Sequence, residues 1–450
     1  MNKITLIGGG LVGSLLSVIL ARKGYDVDVF ESRPDMRKAD ISAGRSINLA
    51  LANRGIKPLA DLGLMDELTP MLIPMKGRMV HPEAEGESAN FQAYGNSASD
   101  VIYSVSRAHL NCFLMDKAEA TGKVTFHYEH KVSNIDFDTN TFTADFCGQR
   151  KRVHFEQIIG TDGANSPVRD AIHAQPSTQH SIEALDHSYK ELTIAPDENG
   201  AHKLDKHALH IWPRGDFMLI ALPNTDGSFT LTLFMPNKGY TSFDSVETPD
   251  EITHFFDSHF ASIKSDIDNL LEDFQSNPTG KLATIKCAPW HFEDKALIIG
   301  DAAHAIVPFH GQGMNCGFED CHTIASLFPV VDSADDIDWQ QLFQRVEDER
   351  KANADAIADM ALENYVEMRD SVRQHEFLLQ KQFAFKIQQW FPERFTPRYA
   401  MVMFEHRPYA EAYALGKKHK LLLTELSDRY SCPSQLNGDI VKTLLDKYEL

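Results

Sequence analysis

The sequence predicts an α/β protein in which a Rossmann-type nucleotide-binding domain, assembled from separated segments, carries an inserted antiparallel β-sheet and ends in an α-helical region. Three observations predict it. A strand-like run at residues 3–7 passes through Gly8-Gly9-Gly10-Leu11-Val12-Gly13 into a helical run at 11–22 and a second strand at 26–30. From about 177 to 285 the texture changes to short apolar or alternating strands separated by turns. Beyond Asp338 the periodicity is almost entirely helical.

In chain order, a surface loop or hairpin is expected between Glu83 and Asn96, where Gly, Glu, Ser and Asn cluster. A helix is expected over 107–121, and strands over 124–128, 142–147 and 153–159. Strands at 207–212, 217–222 and 229–234 are punctuated by Pro213-Arg214-Gly215-Asp216 and Asn224-Thr225-Asp226-Gly227. The strand 296–299 leads into Gly300-Asp301, with a helix opening near Gly313, and long amphipathic helices cover 340–372 and 376–390. The expected division is a discontinuous nucleotide-binding domain (1–75, 101–176, 286–335), a second domain (76–100, 177–285) and the helical region (336–450).

At 450 residues, with 43% hydrophobic and 24% charged residues, the chain can bury a sizeable core and is not an intrinsically disordered one. Its 44 Lys and Arg against 64 Asp and Glu give a formal charge of −20, which excludes nucleic acid as a natural partner and opposes an anionic bilayer. Six irregularly spaced cysteines make no disulfide framework, so free thiols in a reducing cytoplasm are expected. The apolar stretch Ile4 to Ala21 mimics a signal peptide, but glycines interrupt it and no small-residue cleavage site precedes the next strand. No other apolar run approaches the ~20 residues of a membrane span, and oligomeric state is left open.

Three motifs carry the chemistry. In the first, glycines let a pyrophosphate approach a helix N-terminus, and Glu31 ends the second strand where a carboxylate can accept from a ribose. That motif alone does not separate NAD from FAD. The second, Gly160-Thr161-Asp162-Gly163-Ala164-Asn165-Ser166-Pro167-Val168-Arg169, follows a strand; alone, Asp162-Gly163 is a turn signal and Arg169 a surface charge. The third, Gly300 to Asn315, delivers Asp301 to the end of a strand. Its glycines 311 and 313 let backbone N–H groups face a flat ligand at a helix start. His304 and His310 lack metal-ligand register, so no metal is expected.

In this order the three motifs resemble those of the FAD-dependent aromatic hydroxylases with a p-hydroxybenzoate hydroxylase-like fold, and Arg107 in Ser106-Arg107-Ala108-His109-Leu110 matches the arginine that family places near its flavin. Within that family the chain resembles the kynurenine 3-monooxygenases. The segments that carry this are Arg45-Ser46-Ile47-Asn48-Leu49-Ala50, Lys76-Gly77-Arg78-Met79-Val80-His81, Leu233-Phe234-Met235-Pro236, Val307 to Asn315 with Phe318-Glu319-Asp320-Cys321, Glu363-Asn364-Tyr365-Val366-Glu367-Met368-Arg369 and Tyr399-Ala400-Met401-Val402. The polar stretch Ser431 to Leu450, in place of a hydrophobic C-terminal segment, is similar to the soluble bacterial form.

The resemblance implies FAD as cofactor, NADPH and O2 as co-substrates and L-kynurenine as the substrate hydroxylated to 3-hydroxykynurenine in tryptophan degradation. It places cofactor contacts on Gly8, Gly10, Val12, Gly13, Glu31, Arg33 and Ala50, and further along on Arg107, Asp162, Asp301, Gly313, Met314 and Asn315. It also implies a substrate carboxylate held by Arg78 and Tyr94, with Asn364 and Tyr399 from the helical tail, and a ring pocket of Phe234, Phe309 and His310. No acid–base residue is expected, because the flavin carries the chemistry. The alternative readings are a solvent-facing or phosphate-directed Arg78, an exposed loop Tyr94 and two phenylalanines that only pack the core. The other functions open to this sequence are hydroxylation of another aminoaryl or phenolic acid and a non-catalytic flavin redox interaction module. An NAD-dependent dehydrogenase leaves the second and third motifs unexplained.

Overall fold

A computed structural model of the chain describes residues 3–38, 48–83, 86–95, 97, 99–175, 179–331, 337–369 and 375–450. Residues 45–47 of the segment beginning at Arg45, and 370–372 of the expected long helix, lie outside them. The chain divides into two compact units, Met1–Leu72 with Val105–Leu185 and Lys281–Ala358, and Ile73–Ser104 with Asp186–Gly280 and Asp359–Leu450.

The first unit is built on parallel strands in the order Val124–His127, Asp26–Phe30, Lys3–Ile7, Gln157–Gly160, Ala296–Ile298, with antiparallel His291–Phe292 at the edge. Their side chains are buried almost without alternation, as in Ile4, Leu6 and Ile7 or Ile158 and Ile159, which is what a sheet covered on both faces requires. The helix Leu11–Arg22 follows the first strand, and its Leu15, Leu16, Val18 and Leu20 are fully buried. The apolar run that mimics a signal peptide is therefore a buried strand followed by a buried helix.

The register aligns Ile7 with Gly160 and Gly160 with Ile298. All three strands consequently end together, and the segments 8–13, 161–169 and 300–315 leave the sheet from one side, at the carboxyl ends where ligands of open α/β sheets bind. The expected strand 153–159 is two strands. Gln149–His154 pairs antiparallel with Thr141–Phe146, and Gln157–Gly160 pairs parallel with Lys3–Ile7. No glycine or proline between Val153 and Ile159 marks the change of sheet.

In the second unit the strands Asn90–Ala93, Gly77–Val80, Ala208–Pro213, Met218–Pro223 and Phe229–Pro236 are neighbours in that order, and residues 187–194 pair with the last. One face carries Leu192, Ile194, Trp212, Leu219, Leu231 and Leu233 into a core with Ile252, Phe255, Phe256 and Phe260. Ile252, Phe255 and Phe256 lie on a helix, and Phe260 directly after it, in a region expected to be β-rich. The helix Pro249–His259 opens with a Thr248/Glu251 capping box and a proline in its first turn, a signal present in the sequence.

The helix Trp339–Arg369 runs from the first unit into the second. After it come His375–Trp390, Arg398–Phe404, Tyr409–Arg429 and Gly438–Lys447, with Phe383, Ile387, Leu422, Leu426, Val441 and Leu445 in their shared core. Among the described residues no helix is long and apolar enough to cross a membrane.

Gly13 lies in the first turn of its helix, where a Cβ would sit 2.0 Å from the Gly8 carbonyl oxygen and 2.6 Å from Thr161 Oγ1. Gly13→Ala is expected to lower the melting temperature by at least about 2 °C, the loss of about 2 kcal/mol or more that overpacking brings in a chain of this size, and to yield colourless protein. Thermal scans and the visible spectrum of the purified variant check this.

Candidate active site

The glycine turn is held by groups from three directions. Gly8, at φ +103°, donates to Phe30 O at 2.8 Å, and Gly9 N–H donates to Glu31 Oε2 at 2.8 Å. Thr161 donates its N–H to Ile7 O at 2.8 Å, and its hydroxyl lies 2.8 Å from Gly8 O. Asn111, on the helix Arg107–Glu119, donates Nδ2 to Gly9 O at 3.1 Å. A Cβ on Gly10 would meet nothing within 4 Å, so the turn presents open space above the helix start.

Among the described residues five helices elsewhere are capped by a side chain, those beginning after Ser106, Ser166, Thr248, Asp338 and Asn437. The helices that open at Gly10 and at Gln312 have no side-chain cap and no acid in their first turn. Their first N–H groups and the positive end of each dipole are thus offered to an external acceptor.

Glu31 is 4% exposed; burial alone would raise its carboxyl, but Arg33 and the Gly9 N–H outweigh this and hold it below the usual carboxylate range. Arg33 Nε donates to Glu31 Oε1 at 2.8 Å, so the acid already braces the turn from beneath. Val12 packs its side chain against Gly300 and Gly317, whose Cβ positions lie 3.1 and 2.6 Å from it. The third motif therefore abuts the first. Arg169 is buried rather than a surface charge, and it donates to Ala302 O at 3.2 Å and Ala164 O at 2.8 Å, tying the second motif to the third.

Asp162 accepts from Val168 N–H through Oδ2 at 3.4 Å, while its buried Oδ1 has no partner among the described residues. Burial pushes its carboxyl up to about 6. Asn315 is the hub of the third motif. Its Nδ2 donates to Ala50 O and Gly311 O, both at 2.8 Å, and its Oδ1 accepts from Ala52 N–H at 2.9 Å. Gly313 and Met314 form the helix start just before it, and Asp301 and Arg107 are exposed. Phe309 and His310 are 4% and 5% exposed in the turn Pro308–His310 of this unit.

Beneath the third motif lies a charged network that the sequence reading missed. Asp320 Oδ2 accepts from Gly300 N–H at 2.9 Å and is 2.6 Å from His304 Nε2, and its Oδ1 accepts from Arg350 Nε at 2.7 Å. Arg350 and Arg54 both reach Glu319 at 2.7 Å. Burial alone would lower the His304 imidazole and raise the Asp320 carboxyl; their pairing, with Arg350, reverses both, so both are charged. Cys316 Sγ lies 3.8 Å from His304 Nδ1, but the Arg350 guanidinium already supplies the positive charge at this carboxylate.

In the second unit, the face of the sheet opposite its core carries Arg78, Leu209, Ile211, Ile220, Thr232 and Phe234, because ladder partners share a face. Gln92 stands opposite Arg78, and Tyr94 follows two residues on. Arg78 is 7% exposed, which rules out a solvent-facing arginine. Its guanidinium carbon is 4.8 Å from the ring centroid of Tyr399 and 5.9 Å from that of Tyr94, and those two rings stack at 5.3 Å. Nη1 is 3.7 Å from Glu367 Oε1, and Nε is buried with no partner among the described residues.

Tyr94 is 6% exposed instead of lying on an open loop, and burial holds its phenol well above 10. Asn364, 3% exposed, and Glu367 come from one helix, and Glu363 of that helix pairs with Arg398 and accepts from Tyr413 at 3.1 Å. That clamp fixes the helix presenting Tyr399. Phe234 is 2% exposed and tilts against Tyr189 at 6.3 Å. Lys381 and Gln92 also belong to this cluster, and no sequence motif marked either. Glu367 lay inside a quoted segment without being singled out.

A family model described as FAD binding domain matches residues 1–361. The chain is 47% identical over 429 residues to a kynurenine 3-monooxygenase of Myxococcus xanthus (strain DK1622), covering 95% of this chain and 91% of that one. It is 44% identical to a kynurenine 3-monooxygenase of Christiangramia forsetii (strain DSM 17595 / CGMCC 1.15422 / KT0803), covering 94% and 93%. Among solved structures, the tetrameric form of 2-methyl-3-hydroxypyridine-5-carboxylic acid oxygenase superposes with a TM-score of 0.66 at 17% identity, over 84% of this chain and 95% of that one. At that identity the likeness is one of fold.

Asp320→Asn is expected to cost about 3–5 kcal/mol, because it strands two buried cations; urea unfolding measures this. Asp162→Asn tests the opposite sign. A carboxyl whose folded value lies above its unfolded one opposes folding once ionised, so the penalty grows from about pH 4 and is complete above about pH 6. In flavin-free protein the variant should gain up to about 3 kcal/mol at pH 8 and less at pH 5, read by urea unfolding at the two values.

Proposed function

The chain belongs to the FAD-dependent kynurenine 3-monooxygenases, and we propose that it hydroxylates L-kynurenine to 3-hydroxykynurenine with NADPH and O2, holding the amino-acid end of the substrate with Arg78, Tyr94, Asn364 and Tyr399. The observation that carries the substrate assignment is a buried guanidinium sandwiched near two tyrosine rings with one edge unspent. A buried arginine of that kind calls for a planar anion, and a carboxylate meets it with paired, charge-assisted bonds.

The residues present fit FAD. Two uncapped helix starts, open space above Gly10 and the unpaired oxygen of Asp162 are what a pyrophosphate and a polar ring system would use. In this reading Gly8, Gly10, Val12 and Gly13 seat the pyrophosphate, Glu31 and Arg33 the ribose end, and Arg107, Asp162 and Asp301 the middle of the cofactor. Ala50, Gly313, Met314 and Asn315 offer backbone groups to the ring, with the Asn315 amide holding Ala50 and Gly311 in place. The first unit is the cofactor domain and the second the substrate domain.

Bound FAD supplies the redox chemistry, accepting hydride from NADPH and activating O2. The chain's own residues bind and orient. Kynurenine's anilinic amine already activates the ring position beside it, so the task left to protein is positioning and exclusion of water. In this reading Phe234, on the sheet of the second unit, offers an apolar face to the aromatic ring, and the carboxylate clamp sets how deep the ring enters.

Arg78→Met is expected to raise KM for L-kynurenine about 100-fold, the loss of about 3 kcal/mol, with a smaller change in kcat. The assay reduces the yellow protein anaerobically with NADPH in the presence of kynurenine, admits air and identifies the product by mass. Unchanged KM in the variant removes the carboxylate assignment, and bleaching of wild type without hydroxylated product removes the substrate.

A further inference from the structure

The helix His375–Trp390 brings another charge to the Arg78 cluster. Lys381 donates Nζ to Gln92 Oε1 at 3.3 Å, and Gln92 is the ladder partner of Arg78 on the same sheet face. The ammonium also lies 5.8 Å from the centroid of Phe385 on its own helix. The charged groups that face it are Arg78 from the strand Gly77–Val80 and Glu367 from the helix Trp339–Arg369. Burial, then the Arg78 charge, pulls the ammonium down to about 8, with Glu367 opposing. Below that pH the cluster holds two cations and one carboxylate. A buried excess of positive charge is unfavourable until an anion arrives to pair with it.

We propose that Lys381 is a specificity-determining residue of the substrate site, a second cation that receives the α-carboxylate of an amino-acid substrate together with Arg78. The inference rests on the reading of the Arg78 cluster as that site. Arg78 stays charged throughout the accessible range, whereas Lys381 loses its proton in mildly alkaline solution, so of these two cations Lys381 is the one through which substrate affinity falls there. A carboxylate at the site favours the charged ammonium, so the bound state retains the proton to higher pH than the free state, which fixes the sign.

The test is the dissociation constant of L-kynurenine from oxidised holoenzyme without NADPH, read from the flavin absorbance change at pH 7 and pH 9. Flavin content and melting temperature confirm that each variant is folded. Relative to Lys381→Arg, in which titration of the substrate's own amine is the same, wild type should bind about tenfold more weakly at pH 9 and equally at pH 7. Lys381→Met should bind about tenfold more weakly at pH 7 and show no further loss relative to Lys381→Arg at pH 9. Lys381→Met binding like wild type at pH 7, or Lys381→Arg falling as steeply as wild type, overturns the inference. Arg78→Met separates the two levels. If it binds weakly while Lys381→Met does not, only the role of Lys381 fails; if it too binds like wild type, the reading of the site fails with it.

Discussion

The close approach of backbone at the ends of three parallel strands is the constraint from which the rest of the cofactor half follows. Gly8 and Gly13 leave no room for a Cβ between them, and Thr161 stitches its strand to Ile7 and Gly8 by both its N–H and its hydroxyl. Because the strands end in register, segments separated by about 150 residues in sequence meet as one surface. Asp320 repeats the device from below by accepting the Gly300 N–H, and pays for the buried charges with two cations of its own. The surface that results is a set of unspent N–H groups and one unpaired carboxylate oxygen, held rigidly enough that a ligand need not organise them.

The second unit uses a two-sided sheet. Alternation sends leucines and Trp212 into a core with aromatic helices, which leaves the other face available for Arg78, Gln92 and Phe234. A guanidinium buried there is tolerable because the Tyr94 and Tyr399 rings and Glu367 surround it, and Tyr399 and Glu367 come from a helical tail clamped through Glu363, Arg398 and Tyr413. The tail thus supplies partners to a buried charge of the sheet, and is not a covering appended to a finished domain.

Much of this was legible in the sequence where a local rule forces the outcome. Glycine at 8, 10 and 13 between a strand and a helix has few other physical meanings, and the helix starts at 11, 107 and 313 fall where the periodicity places them. Arg78 and Tyr94 were singled out through a family resemblance, and it is the ladder register that shows why they share a face. What the sequence hid depends on contacts at long range. Lys381 and Gln92 lie 289 residues apart, and Asp320 meets Arg350 thirty residues on, across a helix-to-helix packing that no pattern of apolar positions encodes. The strand break at 155–156 is hidden because no glycine or proline marks it, and the helix at 249–259 because its capping box is outweighed by the strands around it.

The most direct measurement of the central claim is FAD binding to flavin-free protein, comparing wild type with Thr161→Val. That substitution keeps the side-chain volume and the buried backbone ladder but removes the hydroxyl that closes the seam between the first and second motifs. Titration should give one FAD per wild-type chain and at least about tenfold weaker binding by the variant, the cost of losing one buried hydrogen bond at the turn. Equal affinities, or a wild-type chain that binds no FAD, would contradict it.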